Sequence, residues 1–324
     1  MAGLQYWATT TQGGHFTNNR LSQQLRHALV PIMKFRQFVD VKEGWGKGVG
    51  DTVFFNKITK VDTAGGKLTE TNVMPENQYS ISRGTIVITE YGNSVPYTGK
   101  LEALSEFNVQ DPTMKVLRND MAEVLDKEAG REFKRTMTKY ICTSTTAGSF
   151  ETRADATTST LATTNLAKSS PKAFHFKEVI DALKKNNIPK YDGENYVCIA
   201  SVTALRKLKD DTEWLDAAKY GDPERLFNGE VGRFYGCRFI EETNYLVNTL
   251  GSSSGTNALG EAVVFGAESV IEGIAIPEEI RAKVPTDYGR SKGLAWYALL
   301  GYKKMWKADD TDQLSHIIHI TSTK

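Results

Sequence analysis

From Asp111 to Ile141 apolar residues recur in steps of three and four: Met114, Leu117, Met121, Val124, Leu125, Ala129, Phe133, Met137, Tyr140 and Ile141. That spacing predicts one long helix with a single apolar stripe. Lys115, Arg118, Asp120, Glu123, Asp126, Lys127, Arg131, Glu132, Lys134 and Arg135 fall between those positions and are expected to form its solvated face. Asp111-Pro112 supplies the start signal, a capping carboxylate followed by a proline whose φ is already set for the first turn. Gly130 is the one weak point, costing about 1 kcal/mol against alanine. Roughly thirty residues at about 1.5 Å each make a rod of about 45 Å, and the rest of the chain is organised around it.

Ahead of the rod the pattern changes period. Residues 52–61 (Thr-Val-Phe-Phe-Asn-Lys-Ile-Thr-Lys-Val) and 78–91 are β-rich. Asp62-Thr63-Ala64-Gly65-Gly66 and a polar stretch to Asn77 separate them, so the two runs read as a long hairpin with a large soft tip. Val53 and Phe55 fall on one face, Phe54 and Ile58 on the other. A two-stranded ribbon is marginal alone in water, and one that is apolar on both faces has to lie against something. Val53, Phe54, Phe55, Ile58, Ile81, Ile86 and Ile88 are therefore candidates for a contact with another subunit. Gly44, Gly46, Gly48 and Gly50 precede the first strand and predict a pliable hinge. The alternating glycines are no phosphate loop, because Asp51 and a strand follow them instead of Ser/Thr and a helix. Upstream, residues 1–20 are polar; Leu21, Leu25, Ala28 and Leu29 keep helical spacing until Pro31 limits the helix.

Behind the rod, residues 143–170 are rich in Thr, Ser and Ala and read as an exposed connection, then the α/β alternation begins. Phe176, Val179, Ile180 and Leu183 predict a helix, Tyr196–Ala200 a buried strand, and Val202, Leu205 and Leu208 a second helix. Phe234–Ile240, Val263–Phe265 and Val270-Ile271 predict strands, and Leu294–Met305 and Ser315–Ile320 close the chain with two more.

Composition narrows the function classes. Charged residues are 24% and the net charge is +1, so nothing global demands a nucleic acid or a membrane. Six Lys/Arg against two Asp/Glu over residues 1–50 make only a mildly basic arm. No apolar run approaches the roughly 20 residues of a membrane helix, and the first residues lack the pattern of a signal peptide. Cys142, Cys198 and Cys237 follow no metal spacing and fit a reducing compartment. Gly251-Ser252-Ser253-Ser254-Gly255 has the letters of a nucleophile elbow without the strand and helix that the motif needs. His316 and His319, three apart in a strand, point to opposite faces. Asp309, Asp310 and Asp312 lack the glycine and distal glutamate of a calcium loop. His15, His27 and His175 have no neighbouring Cys or paired acid. The expectation is no catalytic residue, no cofactor and no metal.

The wording around the rod carries a resemblance. Tyr97-Thr-Gly-Lys-Leu-Glu102, Leu104-Ser-Glu-Phe-Asn-Val-Gln-Asp-Pro112, Asp120-Met-Ala-Glu-Val-Leu-Asp126 and Tyr196–Asp210, together with the late Gly301-Tyr302 strand, resemble the major capsid protein of tailed bacteriophages. The closest match is the coat-protein family of the N-four-like phages. The resemblance covers nearly the whole chain, and its motifs are architectural. It implies an α+β protein with the Hong Kong-type shell fold: an arm (1–43), an extended loop (44–98), a peripheral domain (99–172) with its spine helix at 112–141, an axial domain (173–270) and a return to the peripheral domain (271–324). It implies copies arranged in pentamers and hexamers, closing an icosahedral shell around double-stranded DNA after assembly in the host cytoplasm. Scaffold, portal and decoration proteins are implied as partners, with weak non-specific contacts to packaged DNA and none to a membrane. A near-neutral container suits that role, since many inward cations would hold phosphate tightly. The competing readings are a nanocompartment shell of the same fold, a serine hydrolase using Ser253, and a DNA-binding module using the arm.

Overall fold

The computed structural model describes residues 31–42, 50–58, 66–68, 70, 73–74, 76–79, 81–105, 108–152, 170–214, 232–246, 260–306 and 316–320. Three sheets and one long helix organise them. In chain order come β1 (Asp40–Lys42), β2 (Thr52–Ile58), β3 (Ile81–Val87), β4 (Thr89–Thr98), α1 (Gly99–Leu104), α2 (Gln110–Lys134), β5 (Thr138–Cys142) and β6 (Gly148–Thr152). Then follow α3 (Ala173–Lys185), β7 (Tyr196–Ser201), α4 (Val202–Lys209), β8 (Arg233–Phe234), β9 (Cys237–Glu242), β10 (Ala262–Phe265), β11 (Val270–Ala282), β12 (Ser291–Lys304) and β13 (Ile317–Ile320).

The rod is α2. It has 25 residues, about 37 Å at 1.5 Å per residue, and ends before the predicted Ile141. Met137, Tyr140 and Ile141 keep helical spacing, yet the segment containing them is rich in β-branched and aromatic residues (Thr136, Thr138, Tyr140, Ile141). Its backbone is claimed by the sheet: β5 pairs parallel with β13, His319 opposite Lys139, and antiparallel with β6. Thr136 Oγ1 fixes the switch by donating to the Ile317 carbonyl at 2.7 Å. The start also differs. Asp111 sits inside the first turn and holds the Asn108 amide at 3.2 Å, while Asn108 Oδ1 accepts from the Gln110 amide at 3.1 Å.

The stripe is real where the helix is. Leu117, Leu125, Ala129 and Phe133 are buried and pack with Trp296, Ala298, Leu300 and Tyr302, one face of β12. Each fully buried Leu or Phe stabilises by about 1.5–3 kcal/mol. Asp120, expected in solvent, accepts from Trp296 Nε1 at 2.7 Å and from Asn93 Nδ2 at 3.0 Å, which holds β12 and β4 on the helix. Asp126 and Glu132 are buried, against the predicted solvated face. Gly130 is no weak point: a Cβ there would lie 2.8 Å from the Tyr245 ring and 3.0 Å from that of Phe35. Its missing side chain is what lets those two rings reach the helix.

β1, β11, β12 and β4 form a four-stranded sheet in that order. The seven-stranded sheet runs β6-β5-β13-β10-β7-β9-β8. Its central strands are buried on both faces. Tyr196, Cys198, Ala200, Val264 and Ile318 face α3 and α4, while Val197, Ile199, Val263, Phe265 and Ile317 face the α2 side. This sheet draws β5, β6 and β13 from outside 173–270, the range that the resemblance implies for the axial domain. β8 and β9 turn over Tyr235 and Gly236, both at positive φ (53° and 78°), as a two-residue hairpin of primed type requires. Residues 35–42, assigned to the arm, are docked. Phe35 is fully buried at the side of Phe133 (centroids 5.5 Å apart) and β1 pairs with β11.

Candidate assembly surface

The second predicted hairpin run, 78–91, divides at Ile88. β3 pairs with β2 in the two-stranded sheet, whereas β4 leaves to pair with β12. The Ile88 amide donates to the Asp51 carbonyl at 2.8 Å and pins the ribbon's root. Beside it Gly50 has φ +91°, a left-handed conformation that a side chain would strain. Of the four hinge glycines, Gly44, Gly46 and Gly48 lie outside the described residues.

The β2–β3 register sorts the candidates. Val53 stands opposite Ile86, Phe55 opposite Gly84 and Lys57 opposite Ser82; these pairs share one face. Thr52 opposite Val87, Phe54 opposite Thr85, Asn56 opposite Arg83 and Ile58 opposite Ile81 make the other. The first face is turned to the chain's own body. Val53 (4% exposed) and Ile86 (0%) pack on Ile271 and Met305, with Phe55, Ile88 and Trp306 half-buried around them. Gly301 lets the ribbon settle there, since any Cβ would collide with the Val87 carbonyl, and Gly84 makes room for the Phe55 ring. Val53 and Ile86 are therefore corrected: they are used up inside their own subunit and cannot meet a neighbour. Phe55 and Ile88 belong largely to the same internal contact.

The outer face is open. Phe54 is 52% exposed, Ile58 65%, Ile81 58% and Val87 58%. Val87 was missed by the sequence reading, as were Leu68, Val73, Met74 and Tyr79 toward the tip, all exposed. The signal for Val87 was available in principle, since a strand pairing fixes which residues share a face; the sequence does not print the register. Arg83 lies over the Phe54 ring at 5.3 Å.

A second feature fastens the arm's root to the rod. Asp126 Oδ1 accepts the Arg36 amide at 3.0 Å and Oδ2 the Asn244 side chain at 3.1 Å. The Arg36 guanidinium grips Glu278 at 2.8 and 3.0 Å and Glu272 at 3.1 Å. Glu242, fully buried, accepts from the amides of Asn244, Tyr245 and Leu246. Burial raises the pKa of Asp126 and of Glu242, whereas the Arg36 hydrogen bond holds Glu278 below the ordinary carboxylate value.

The polar residues weighed for chemistry have structural partners or lie elsewhere. His316 stacks on Trp306 (5.1 Å) and bonds the Ala267 carbonyl at 2.7 Å; His319 meets Lys139 at 3.1 Å. His175 bonds the Ser144 carbonyl at 2.9 Å. Ser253, Asp309, Asp310, Asp312, His15 and His27 lie outside the described residues. Among the described residues no group of three or more His/Cys/Asp/Glu could hold a metal, and the three cysteines are buried and form no disulfide. No described helix is long and apolar enough to cross a membrane.

Comparison with known proteins gives this surface its context. The phage capsid protein family matches residues 7–312. No curated protein matches in sequence. Among solved structures, the head of Helicobacter pylori bacteriophage KHP40 aligns with TM-score 0.68 at 13% identity over 94% of each chain. The acid-stable capsid of Helicobacter pylori bacteriophage KHP30 aligns at 0.67 and 12%, over 95% of this chain and 96% of that one. The capsid of Ralstonia phage GP4 aligns at 0.65 and 16%, over 98% and 99%. These likenesses show the Hong Kong-type α+β fold, and the family match does not reach the finer N-four-like grouping. With its sequence matched almost from end to end, the chain belongs to the phage capsid protein family and is a structural, shell-forming protein of the virion.

Proposed function

We propose that copies of this chain meet in five- and six-membered rings that close an icosahedral shell around double-stranded DNA, and that the outer face of the β2–β3 ribbon is covered by the neighbouring copy. One observation carries this reading: Phe54, Ile58, Ile81 and Val87 line one face of a ribbon whose other face packs on its own subunit through Val53 and Ile86. An apolar face of that kind, on a projection, marks a contact with another molecule. A projecting ribbon that rests on a neighbour makes a heterologous contact, the kind that closes rings. In this reading α2 and the four-stranded sheet form the peripheral lobe, and α3, α4 and the seven-stranded sheet the axial lobe. The arm, scaffold, portal and decoration proteins and weak contacts to packaged DNA complete the assembly, which takes place in the host cytoplasm. Gly50 and its neighbouring glycines act as the hinge.

The test is paired. Excising Thr63–Asn77 removes the polar tip; the thermal transition of the dissociated subunit should stay nearly unchanged while negative-stain images lose closed shells. A parent protein that remains monomeric at high concentration, across salts and with any scaffold supplied, would overturn the reading.

A further inference from the structure

Where the rod ends, a cluster of titratable side chains is packed between α2 and the seven-stranded sheet. His319 of β13 is 4% exposed and lies between β5 and β10, opposite Lys139 on one side and Val263 on the other. Lys139, also buried, donates to the carbonyl of Lys134, the last residue of α2, at 2.6 Å and to His319 Nδ1 at 3.1 Å. One ammonium thus ties β5 and β13 to the negative end of the helix. The Lys134 side chain turns to Glu261, just before β10, and donates to its Oε2 at 2.7 Å. An ammonium can only donate, so Nδ1 is the acceptor and the neutral ring carries its proton on Nε2. Nε2 makes no hydrogen bond among the described residues; Glu261 Oε1 is 3.9 Å away, beyond hydrogen-bond reach.

The charged groups facing the ring are therefore Lys139 from β5, Lys134 from α2 and Glu261 from the entry to β10, and that carboxylate already serves Lys134. A proton added at Nδ1 removes the acceptor that Lys139 uses and sets two donors against each other. It also adds a positive charge to a seam that excludes water. Burial first, then Lys139 and Lys134, holds the His319 pKa well below the ordinary histidine value. In an opened seam the same ring titrates near its ordinary value of about 6.5. As pH falls below that value the open form takes up the proton first, so the closed seam loses stability from there down to the folded pKa. We propose that His319 is a proton-operated latch on the joint between the rod and the seven-stranded sheet: a proton at Nδ1 expels the Lys139 ammonium, the hold on the Lys134 carbonyl goes with it, and β13 parts from β5.

Amide exchange of the dissociated subunit, corrected for the intrinsic effect of pH on exchange, reads the seam directly. Between about pH 7.5 and about pH 5, protection in Thr138–Cys142 and Ile317–Ile320 should fall about tenfold or more in the parent. His319→Gln offers Lys139 an oxygen and cannot titrate, so it should hold protection within about twofold over the same range. His175 and His316 are also held low by burial; a global melt sums all three rings, whereas exchange in these two strands isolates one. Lys139→Met keeps the stem and removes the facing ammonium. The His319 imidazole, followed by NMR in the whole subunit, should then titrate at higher pH than in the parent, and this second measurement decides the matter even if His319→Gln does not fold. Equal acid sensitivity in the parent and His319→Gln would overturn the proposal. So would an imidazole midpoint that Lys139→Met leaves in place, or protection that rises on acidification because the ring closes on Glu261 instead.

Discussion

The seven-stranded sheet and the two-stranded ribbon treat apolar residues in opposite ways. In β7, β10 and β13 every position is buried, because α3 and α4 cover one side and the α2 layer the other. In β2 and β3 burial alternates, and the exposed positions include Phe54, Ile58, Ile81 and Val87. Strands buried on both faces read as continuous apolar runs, and strands covered on one face alternate apolar with polar. The ribbon does neither: it alternates in burial while staying apolar on both sides. That mismatch between composition and coverage separates the proposed contact surface from a finished core.

The largest effect tests the finished region. Phe133→Ala removes a ring packed at 4.7 Å from Phe265 and 5.5 Å from Phe35, where the rod, the arm's root and the sheet converge. It should cost about 3–5 kcal/mol in denaturant unfolding of the dissociated subunit; a loss under 1 kcal/mol would show that the α2 layer does not complete the sheet. Next, Ile86→Ala should cost about 2–4 kcal/mol, read best as lost amide-exchange protection in β2 and β3, because the ribbon's inner face belongs to its own subunit.

Gly130→Ala probes the rod itself. Helix propensity alone favours alanine by about 1 kcal/mol. The approach of Tyr245 and Phe35 reverses the sign, and net destabilisation of about 1–2 kcal/mol is expected. A stabilised variant would show that the two rings give way freely.

Glu278→Gln weakens the clamp on Arg36 by about 1 kcal/mol at neutral pH, a modest figure because both side chains are partly exposed. The arm's root should also change its response to acid. Glu278 is held low, so its contribution is present above its unfolded value and lost as pH falls through its folded one. Asp126 and Glu242 are raised, so their terms run the other way and stability grows as pH falls through their folded values. Protection of the Arg36–Phe38 amides should therefore become less acid-sensitive in the variant; an unchanged profile would remove Glu278 from the clamp.

The smallest effect on the subunit sharpens the contrast most. Phe54→Ser should shift subunit stability by no more than about 0.5 kcal/mol, yet reduce shells in sedimentation, since the loss recurs at every copy. If Phe54→Ser instead melts the subunit as severely as Ile86→Ala, the two faces of the ribbon are not different in kind.

How much of this the sequence shows depends on which force decides each element. α3, β7, α4 and β10 appear where the apolar spacing puts them, because local period and burial agree there. The rod's end is illegible because Tyr140 and Ile141 satisfy a helical spacing and a strand equally; pairing with β13, some 180 residues away, settles it. Asp126 and Glu132 look like surface charges because a helix wheel assumes one covered side, whereas α2 meets both the β12 face and the arm's root. That 52–58 and 81–87 form a ribbon is legible in their β-rich composition. The division of its candidates between Val53 and Ile86 on one hand and Phe54, Ile58 and Ile81 on the other needs the β2–β3 register and the β3–β4 break at Ile88.

β13 carries a consequence for how the molecule comes into being. It is the last described strand in the chain, yet it lies in the interior of its sheet, between β5 and β10. At about 5–20 residues per second, the roughly fifty residues from Phe265 to Ile317 take the ribosome seconds to supply. Until then β5 and β10 have no β13 to join them, and each presents an open edge of the kind that recruits other chains. Synthesis itself thus sets a clock on the subunit: its two halves cannot be sewn together before β13 is made, so competence to join a shell arrives late and nearly all at once.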